Sequence, residues 1–392
     1  MKTVGIISEY DPFHNGHKYQ CDKLRELGAK TIVSIMGGSF SQRGSVHIID
    51  KYKRAECAVL SGGADIVLEL PYPYSASSAE NFASAGVYIA SKYCDSLAFG
   101  CECEDGDKLI KIAKTMLSDK FETTLSNQVG ADTLVPMPQI SCAVISHLMG
   151  EEYAEIMMEP NNILAIEYLK AIFKGGYTLE PVFINRKGAM HNESVAIDSF
   201  ASSSFIRSVI FNGDNLEKIK HFCPSATYEA VNNAIENKEI LHLQNAEKVI
   251  LHSLRNADPI IDELSECGGG LGRRIINNAS AATTLEHLYK LTATKRYTNS
   301  RIRRAILSIL LGTKKTAVSS LPEFTSVLAA RRESLSLLKG VDFPLISSPS
   351  DFRRIPESDL TRLYLSAERF ISLCYFVAAD EYEFFKKHPI II

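Results

Sequence analysis

Apolar runs and amphipathic stretches alternate through the first two hundred positions of the 392-residue chain. "TVGIIS" (3–8), "TIVSIMG" (31–37), "DIVLEL" (65–70) and "DSLAFG" (95–100) are almost continuously apolar and are predicted to be strands. Between them, residues 16–27, 50–61 and 78–92 have helical spacing, stopped by Gly28 after the first and Gly62–Gly63 after the second. Strands apolar on both faces, separated by helices, mean a parallel sheet covered on two sides. The expected fold class is α/β, a doubly wound parallel sheet.

The pattern loosens past Cys101. Residues 106–118 read as helix, 119–160 give no clear assignment, and "NNILAIEYLKAIFKGG" (161–176) is a helix with Asn161 or Asn162 as its cap and Gly175 after its end. "TLEPVFIN" (178–185) is the last expected strand, and "ASSSFIRSVIFNG" (201–213) a short capped helix. From about residue 215 the strand signal disappears and the spacing is helical, with breaks at "CGGG" (267–270), "LLGTKKT" and "LKGVDFP". Two domains are expected, since the chain exceeds one ordinary core: an α/β domain over 1–218 and a mainly α-helical domain over 219–392.

Composition adds limits. Apolar residues make up 45% and charged residues 23%, so the chain is globular, and a net charge of -3 leaves nucleic-acid binding to a local patch. The nine cysteines sit in apolar surroundings, as thiols of a reducing, cytoplasmic compartment do. Only Cys101-Glu102-Cys103 is closely spaced, without the second pair of a zinc site. There is no signal-peptide pattern and no run of about 18 apolar residues, so no membrane span is expected.

The chemistry concentrates in "SEYDPFHNGH" (8–17), between the first strand and the first helix. Such a turn, at the carboxyl edge of a parallel sheet, is where these folds bind ligands, and a helix N-terminus suits a phosphate. Pro12 stiffens the approach and Gly16 lets backbone come close to a ligand. His14 and His17, three apart, can face one anion and donate to oxygens gaining charge. The alternatives are two surface histidines or a zinc pair, the latter without the glutamate of "HExxH". A P-loop and a "GxGxxG" turn are both missing.

"DPFHNGH" resembles the HxGH signature of the nucleotidyltransferase superfamily, whose HUP-type fold is doubly wound and whose histidines act at the α-phosphate of ATP. "ASSSFIR" (201–207) resembles its second signature, ISSTxIR, departing at Ala201 and Phe205. The resemblance implies that the motif's serines cap a helix and that Arg207 reaches the outer phosphates, and it carries over Ser203, Ser204 and Arg207 as site residues. Together with "SFSQRG", "KYKRAECAVLSGGADIVLELP", "SAENFASAGV", "PNNILAIEYLKA" and "KRYTNSRIRRAILSILLG", the chain is similar to the bacterial tRNA(Met) cytidine acetate ligase family.

That resemblance implies a ligase that joins acetate to ATP as acetyl-adenylate. It then acetylates N4 of the wobble cytidine (C34) of elongator tRNA(Met), with AMP and pyrophosphate released. By the same resemblance Ile7, Ser8, Glu9, Tyr10, Asp11, Pro12, Phe13, His14, Asn15, Gly16, His17, Lys18, Tyr19 and Gln20 wrap ATP, with Gly100, Asn162 and Arg186 at the nucleotide and Lys187 as a substitute for Arg186. Gly100 also reads as a plain strand-end glycine, Asn162 as a mere cap, and Arg186–Lys187 as a solvated pair. Mg²⁺ is expected on the phosphates rather than in a cage of protein side chains. Small-molecule adenylyl transfer, or RNA binding without catalysis, are the competing functions.

Three further features stand apart. Gln42 and Arg43 follow Gly37–Gly38 in a loop suited to fold over a phosphate or a small carboxylate. Lys51 and Arg54 open a helix, where the dipole disfavours cations, so either an anion lies nearby or the face is solvated. Residues 281–340 hold eleven Lys or Arg against three acids, a local balance of +8. There Lys295, Arg296, Arg301 and Arg304 lie beside Tyr297, expected exposed, and form a candidate tRNA face with few acids near enough to pair.

Overall fold

The apolar runs of the first half become five parallel strands: β1 Thr3–Ser8, β2 Thr31–Gly37, β3 Ile66–Leu70, β4 Ser96–Cys101 and β5 Glu180–Asn185. Their order is 5-4-1-2-3, so the chain reverses direction between β1 and β4, the switch point where open α/β sheets bind ligands. The computed structural model describes residues 2–131, 135–185, 200–257, 261–377 and 387–392. Helices α1 (Asn15–Glu26) and α2 (Lys51–Leu60) cover one face, where Cys21 and Leu24 of α1 pack on Val4, Ile6 and Ile32. Helix α3 (Ala79–Tyr93) and the helix Pro160–Gly175 cover the other, where Phe82, Val87 and Leu169 join Val33, Ile35 and Leu97. Each buried Leu, Ile or Phe contributes about 1.5–3 kcal/mol against exposure, which makes this layered packing the main support of the site.

Two details differ from the sequence reading. Residues 119–160, unassigned by pattern, hold helices Asp119–Ala131, Met137–Met149 and Glu151–Ile156. The helix Pro160–Gly175 is entered through Glu159 and Pro160 and stopped by Gly176, whose φ is +63°, so neither asparagine is its cap and Gly175 is its last residue.

The larger difference is in the second half, which is not purely helical. Residues Thr325–Ala330 form β6, buried throughout and antiparallel to β3, with Ala330 opposite Ile66. Short strands β7 (Leu345–Ile346) and β8 (Ile390–Ile391) pair with β6, making a sheet of eight strands among the described residues. "TSVLAA" is short and shows no alternation, because both its faces are covered, so its pattern cannot be told from a buried helical turn. Elsewhere the described residues of this half are mainly helical, including Ser225–Glu236, Glu247–Arg255, Leu271–Ala281, Asn299–Leu311 and Asp359–Ile371.

The cations of α2 do have anionic neighbours. Lys51 is buried, 2.7 Å from Glu69 of β3 and 3.0 Å from Glu368 of the helix Asp359–Ile371, and it donates to the Tyr364 hydroxyl at 2.9 Å. Burial disfavours its charge, but Glu368 and Glu69 outweigh burial and hold its pKa well above the usual value. Arg54 is buried as well and donates to the carbonyls of Glu9, Gly37 and Gly38. It thereby clamps the carboxyl ends of β1 and β2 together, which fixes the rim of the site.

Candidate active site

A cavity of about 410 Å³ opens at the carboxyl ends of β1 and β4. Its floor is the turn after β1. Tyr10 takes a left-handed backbone, φ +46°, unusual for a residue with a Cβ, and it marks the point where the chain leaves the strand for α1.

The two histidines are the cap of α1. His14 is the N-cap; its Nδ1 accepts the Gly16 N–H at 3.0 Å, and His17 Nδ1 accepts the His14 N–H at 3.2 Å. This is a capping box built from imidazoles. It also assigns the tautomers: with each Nδ1 an acceptor, each neutral ring carries its proton on Nε2. The rings stack with centroids 3.8 Å apart, and both line the cavity, as does Gly16. A Cβ on Gly16 would come within 2.9 Å of the His14 ring, so this glycine serves the ring's seat as much as any ligand.

The helix Ser203–Phe211 closes the opposite wall. Of its serines, Ser202, one residue before the helix, is the N-cap, while Ser203 Oγ lies 3.0 Å from His14 Nε2. Arg207 donates to the Asp11 carbonyl at 2.8 Å, lies 3.3 Å from the Asp11 carboxylate, and donates to Ser204 Oγ at 3.3 Å. Asp11 in turn accepts the Ile48 N–H at 2.8 Å and stands 3.2 Å from His47 Nδ1. Burial works to raise the Asp11 pKa, but His47, Arg207 and Arg54 together outweigh it and hold the carboxyl well below the usual carboxylate range. The second motif is thus tied to the first through an ionised aspartate, although 196 residues separate Asp11 from Arg207.

The remaining expectations divide. From the first loop, Ile7, Ser8, Glu9, Tyr10, Asp11, Tyr19 and Gln20 also line the cavity, and so does Gly100. Pro12, Phe13, Asn15 and Lys18 do not: Pro12 is buried in the turn, Phe13 packs on Tyr10, Asn15 donates to the His221 carbonyl and Lys18 pairs with Asp22. Asn162 is also turned away. Its Oδ1 accepts the N–H groups of Glu102 and Cys103, while Glu102 accepts the Asn162 N–H, so the loop after β4 caps this helix from outside. Asn161 takes the place at the cavity. Arg186 and Lys187 lie outside the described residues.

Sequence reasoning missed the apolar wall. Phe99 and Tyr168, ring centroids 5.6 Å apart, line the cavity with Ile163, Leu164 and Ile184. The spacing of Asn161, Leu164 and Tyr168 along one helix was the available signal. This wall suits a flat heteroaromatic ring, while the imidazole N–H groups, the first turn of α1 and Arg207 suit a polyphosphate.

Gln42 and Arg43 stand on the rim, in a lip loop that carries Ser41 and Ser45 into the cavity as well. The Gln42 N–H donates to Glu9 Oε1 at 2.6 Å and its side chain to the Ser77 carbonyl at 3.0 Å. Arg43 is exposed and makes no ion pair among the described residues.

The basic block needs correction. Arg304 is buried in a two-pronged pair with Glu266, 3.0 and 3.2 Å, and donates to the Gln42 carbonyl at 3.2 Å. Arg301 donates to the Gly268 carbonyl at 3.0 Å and lies 3.8 Å from Glu266. Tyr297 is buried, its hydroxyl on the Gly269 carbonyl. The acid that pairs these arginines lies 38 positions before Arg304, outside the basic stretch 281–340. Only Lys295 and Arg296 of the five keep substantial exposure without a carboxylate partner among the described residues.

The HIGH Nucleotidyl Transferase family model matches residues 1–384. A tRNA(Met) cytidine acetate ligase of Caldanaerobacter subterraneus subsp. tengcongensis is 33% identical over 405 residues, covering 100% of both chains. One from Oceanobacillus iheyensis is 34% identical, covering 89% of this chain and 90% of its own. Among solved structures, Thermotoga maritima TmcAL bound with alpha-thio ATP superposes with a TM-score of 0.91 at 25% identity, over 100% of each chain.

Proposed function

Because the chain belongs to the tRNA(Met) cytidine acetate ligase family, within the HIGH nucleotidyl transferases, we propose that it activates acetate with ATP and transfers the acetyl group to tRNA. Acetyl-adenylate and pyrophosphate form first; N4 of the wobble cytidine of elongator tRNA(Met) is then acetylated and AMP released. The observation that carries this reading is the pair of Nε2–H imidazoles at the mouth of α1, converging with Ser203 and Arg207 on one cavity.

The first step asks for little proton chemistry. A carboxylate is already nucleophilic at neutral pH, so the protein must align it with the α-phosphorus and stabilise charge as pyrophosphate departs. His14 and His17 donate to the phosphoryl oxygens, and Arg207, braced by Asp11, faces the outer phosphates. Arg43 on the rim is the cation available to the acid or a phosphate. Mg²⁺ carried on the nucleotide would supply charge neutralisation. The residues fit such an ion only with the nucleotide as its main ligand: of the two carboxylates lining the cavity, Asp11 is committed to Ile48, His47 and Arg207, and Glu9, held by the Gln42 N–H, offers a single oxygen.

Adenine is assigned to the Phe99–Tyr168 wall. The tRNA backbone is assigned to Lys295 and Arg296, with Arg301, Arg304 and Tyr297 shaping that face from beneath. The enzyme acts in the cytoplasm, where tRNA is modified. No helix among the described residues is long and apolar enough to cross a membrane.

The test is acetate-dependent ATP–pyrophosphate exchange by the purified chain, followed by transfer of labelled acetate to tRNA. Both are expected. Exchange that ignores acetate refutes the activation step, and exchange without transfer to tRNA assigns the adenylate to another acceptor.

A further inference from the structure

Acetyl transfer to an amine poses a problem that adenylation does not. When the cytosine N4 attacks the acetyl carbonyl, an N–C bond forms and the C–O bond to AMP breaks with its electron pair leaving on phosphate. One N4 proton must then go to a base.

The cavity wall offers few acceptors. His14 and His17 are unsuited, because each Nδ1 already accepts a backbone N–H and each Nε2 carries a proton. Asp11 has one oxygen on the Ile48 N–H and the other between His47 and Arg207. Tyr10 and Tyr168 are buried phenols, and burial pushes both well above the usual range, so they remain protonated. Glu9 is the one other carboxylate lining the cavity among the described residues. One of its oxygens takes the Gln42 N–H at 2.6 Å, and the other has no hydrogen-bond partner among the described residues.

Its position is apt as well. Glu9 follows directly on β1, half-buried, and is held by the lip loop. The same Gln42 that donates to Glu9 accepts from Arg304, and a Cβ on Gly44 would come within 2.6 Å of the Arg304 backbone nitrogen. The carboxylate therefore sits where the nucleotide cavity meets the helix Asn299–Leu311, which follows Lys295 and Arg296, the residues assigned above to the tRNA backbone.

We propose that Glu9 is the general base of the second half-reaction: its free carboxylate oxygen takes the N4 proton as the amine displaces AMP from the acetyl group. This assignment rests on the ligase reading above. A carboxylate base is also the group least useful to the first step, where it would face phosphate oxygens of its own charge.

The test compares the two half-reactions in Glu9→Gln. Glutamine keeps an acceptor for the Gln42 N–H, so the lip loop stays anchored. In single turnover from preformed acetyl-adenylate, transfer to tRNA is expected to fall roughly 10²–10⁴-fold, the range for losing a positioned base. Acetate-dependent pyrophosphate exchange falls far less, so the ratio of transfer to exchange collapses, and Glu9→Asp recovers part of it. If the two half-reactions fall together, or the KM for Mg-ATP rises in step, Glu9 holds the nucleotide and the proposal is overturned. Unimpaired transfer overturns it too. A wild-type chain that forms no acetyl-adenylate would instead bring down the ligase reading, so the two failures are distinguishable.

Discussion

Arg304 decides between two accounts of the basic block, and replacing it with methionine separates them. The change keeps most of the aliphatic stem and removes the guanidinium. Three hydrogen bonds go with it: two to Glu266, at 3.0 and 3.2 Å, and one to the Gln42 carbonyl at 3.2 Å. The side chains of Arg304 and Glu266 are each only 11% exposed, so the carboxylate left behind is largely desolvated. Breaking a buried pair from one side costs about 3–5 kcal/mol. Arg301, already 3.8 Å from Glu266, recovers a fraction, which brings the expected loss to about 2–3 kcal/mol. The measurement is denaturant unfolding of the chain without tRNA, for Arg304→Met, Glu266→Met and the double variant. The double variant regains more than about 1 kcal/mol of the summed single losses, because the stranded charge is gone. A single variant within about 0.5 kcal/mol of wild type, with weakened tRNA binding, would refute the structural role and return Arg304 to the RNA face.

Other outcomes follow from the same geometry. His14→Ala and His17→Ala each lower acetate-dependent pyrophosphate exchange by about 10²–10³-fold, the cost of losing one oxyanion donor, and His14→Ala also loses about 1 kcal/mol of helix capping in unfolding experiments. Asp11 is held ionised in the folded state far below its unfolded pKa of about 3.9, so the stability it contributes is complete above that value and drains away as pH falls toward the depressed folded pKa. Asp11→Asn is accordingly less stable at neutral pH and loses less on acidification, read from unfolding midpoints between about pH 6 and 2. Replacing Lys295 and Arg296 with alanine reduces the slope of log affinity for tRNA against log salt by about 0.7–0.9 for each phosphate left without its cation, and leaves pyrophosphate exchange intact.

The legible parts were those whose physics is local. Strands β1 to β4 declare themselves because both faces are buried, and the histidine pair because helix geometry brings positions three apart together. "ASSSFIR" marked the second wall, although the letters did not say which serine would cap and which would reach His14. What stayed hidden depends on partners distant in the chain. The Arg304–Glu266 pair cannot be found by counting charge within a window, because its acid sits on a different segment at a left-handed residue, φ +64°. Asn162 looked like a cap and proved to be a bracket for the loop after β4, since Glu102 performs the capping instead. Strand β6 was silent because a short run covered on both faces has no periodicity to display.

That silent strand decides where the chain can be cut. Because β6 lies against β3, the catalytic sheet is finished by a piece of chain about 260 positions downstream. A fragment ending near residue 218 would carry the histidines, the lip and Arg207, yet expose β3 as a bare apolar margin, ready to recruit strands from other molecules. The nucleotide-handling half is therefore no portable cassette. The join between the two parts runs through the sheet itself, so the first part cannot close the β3 edge without the second.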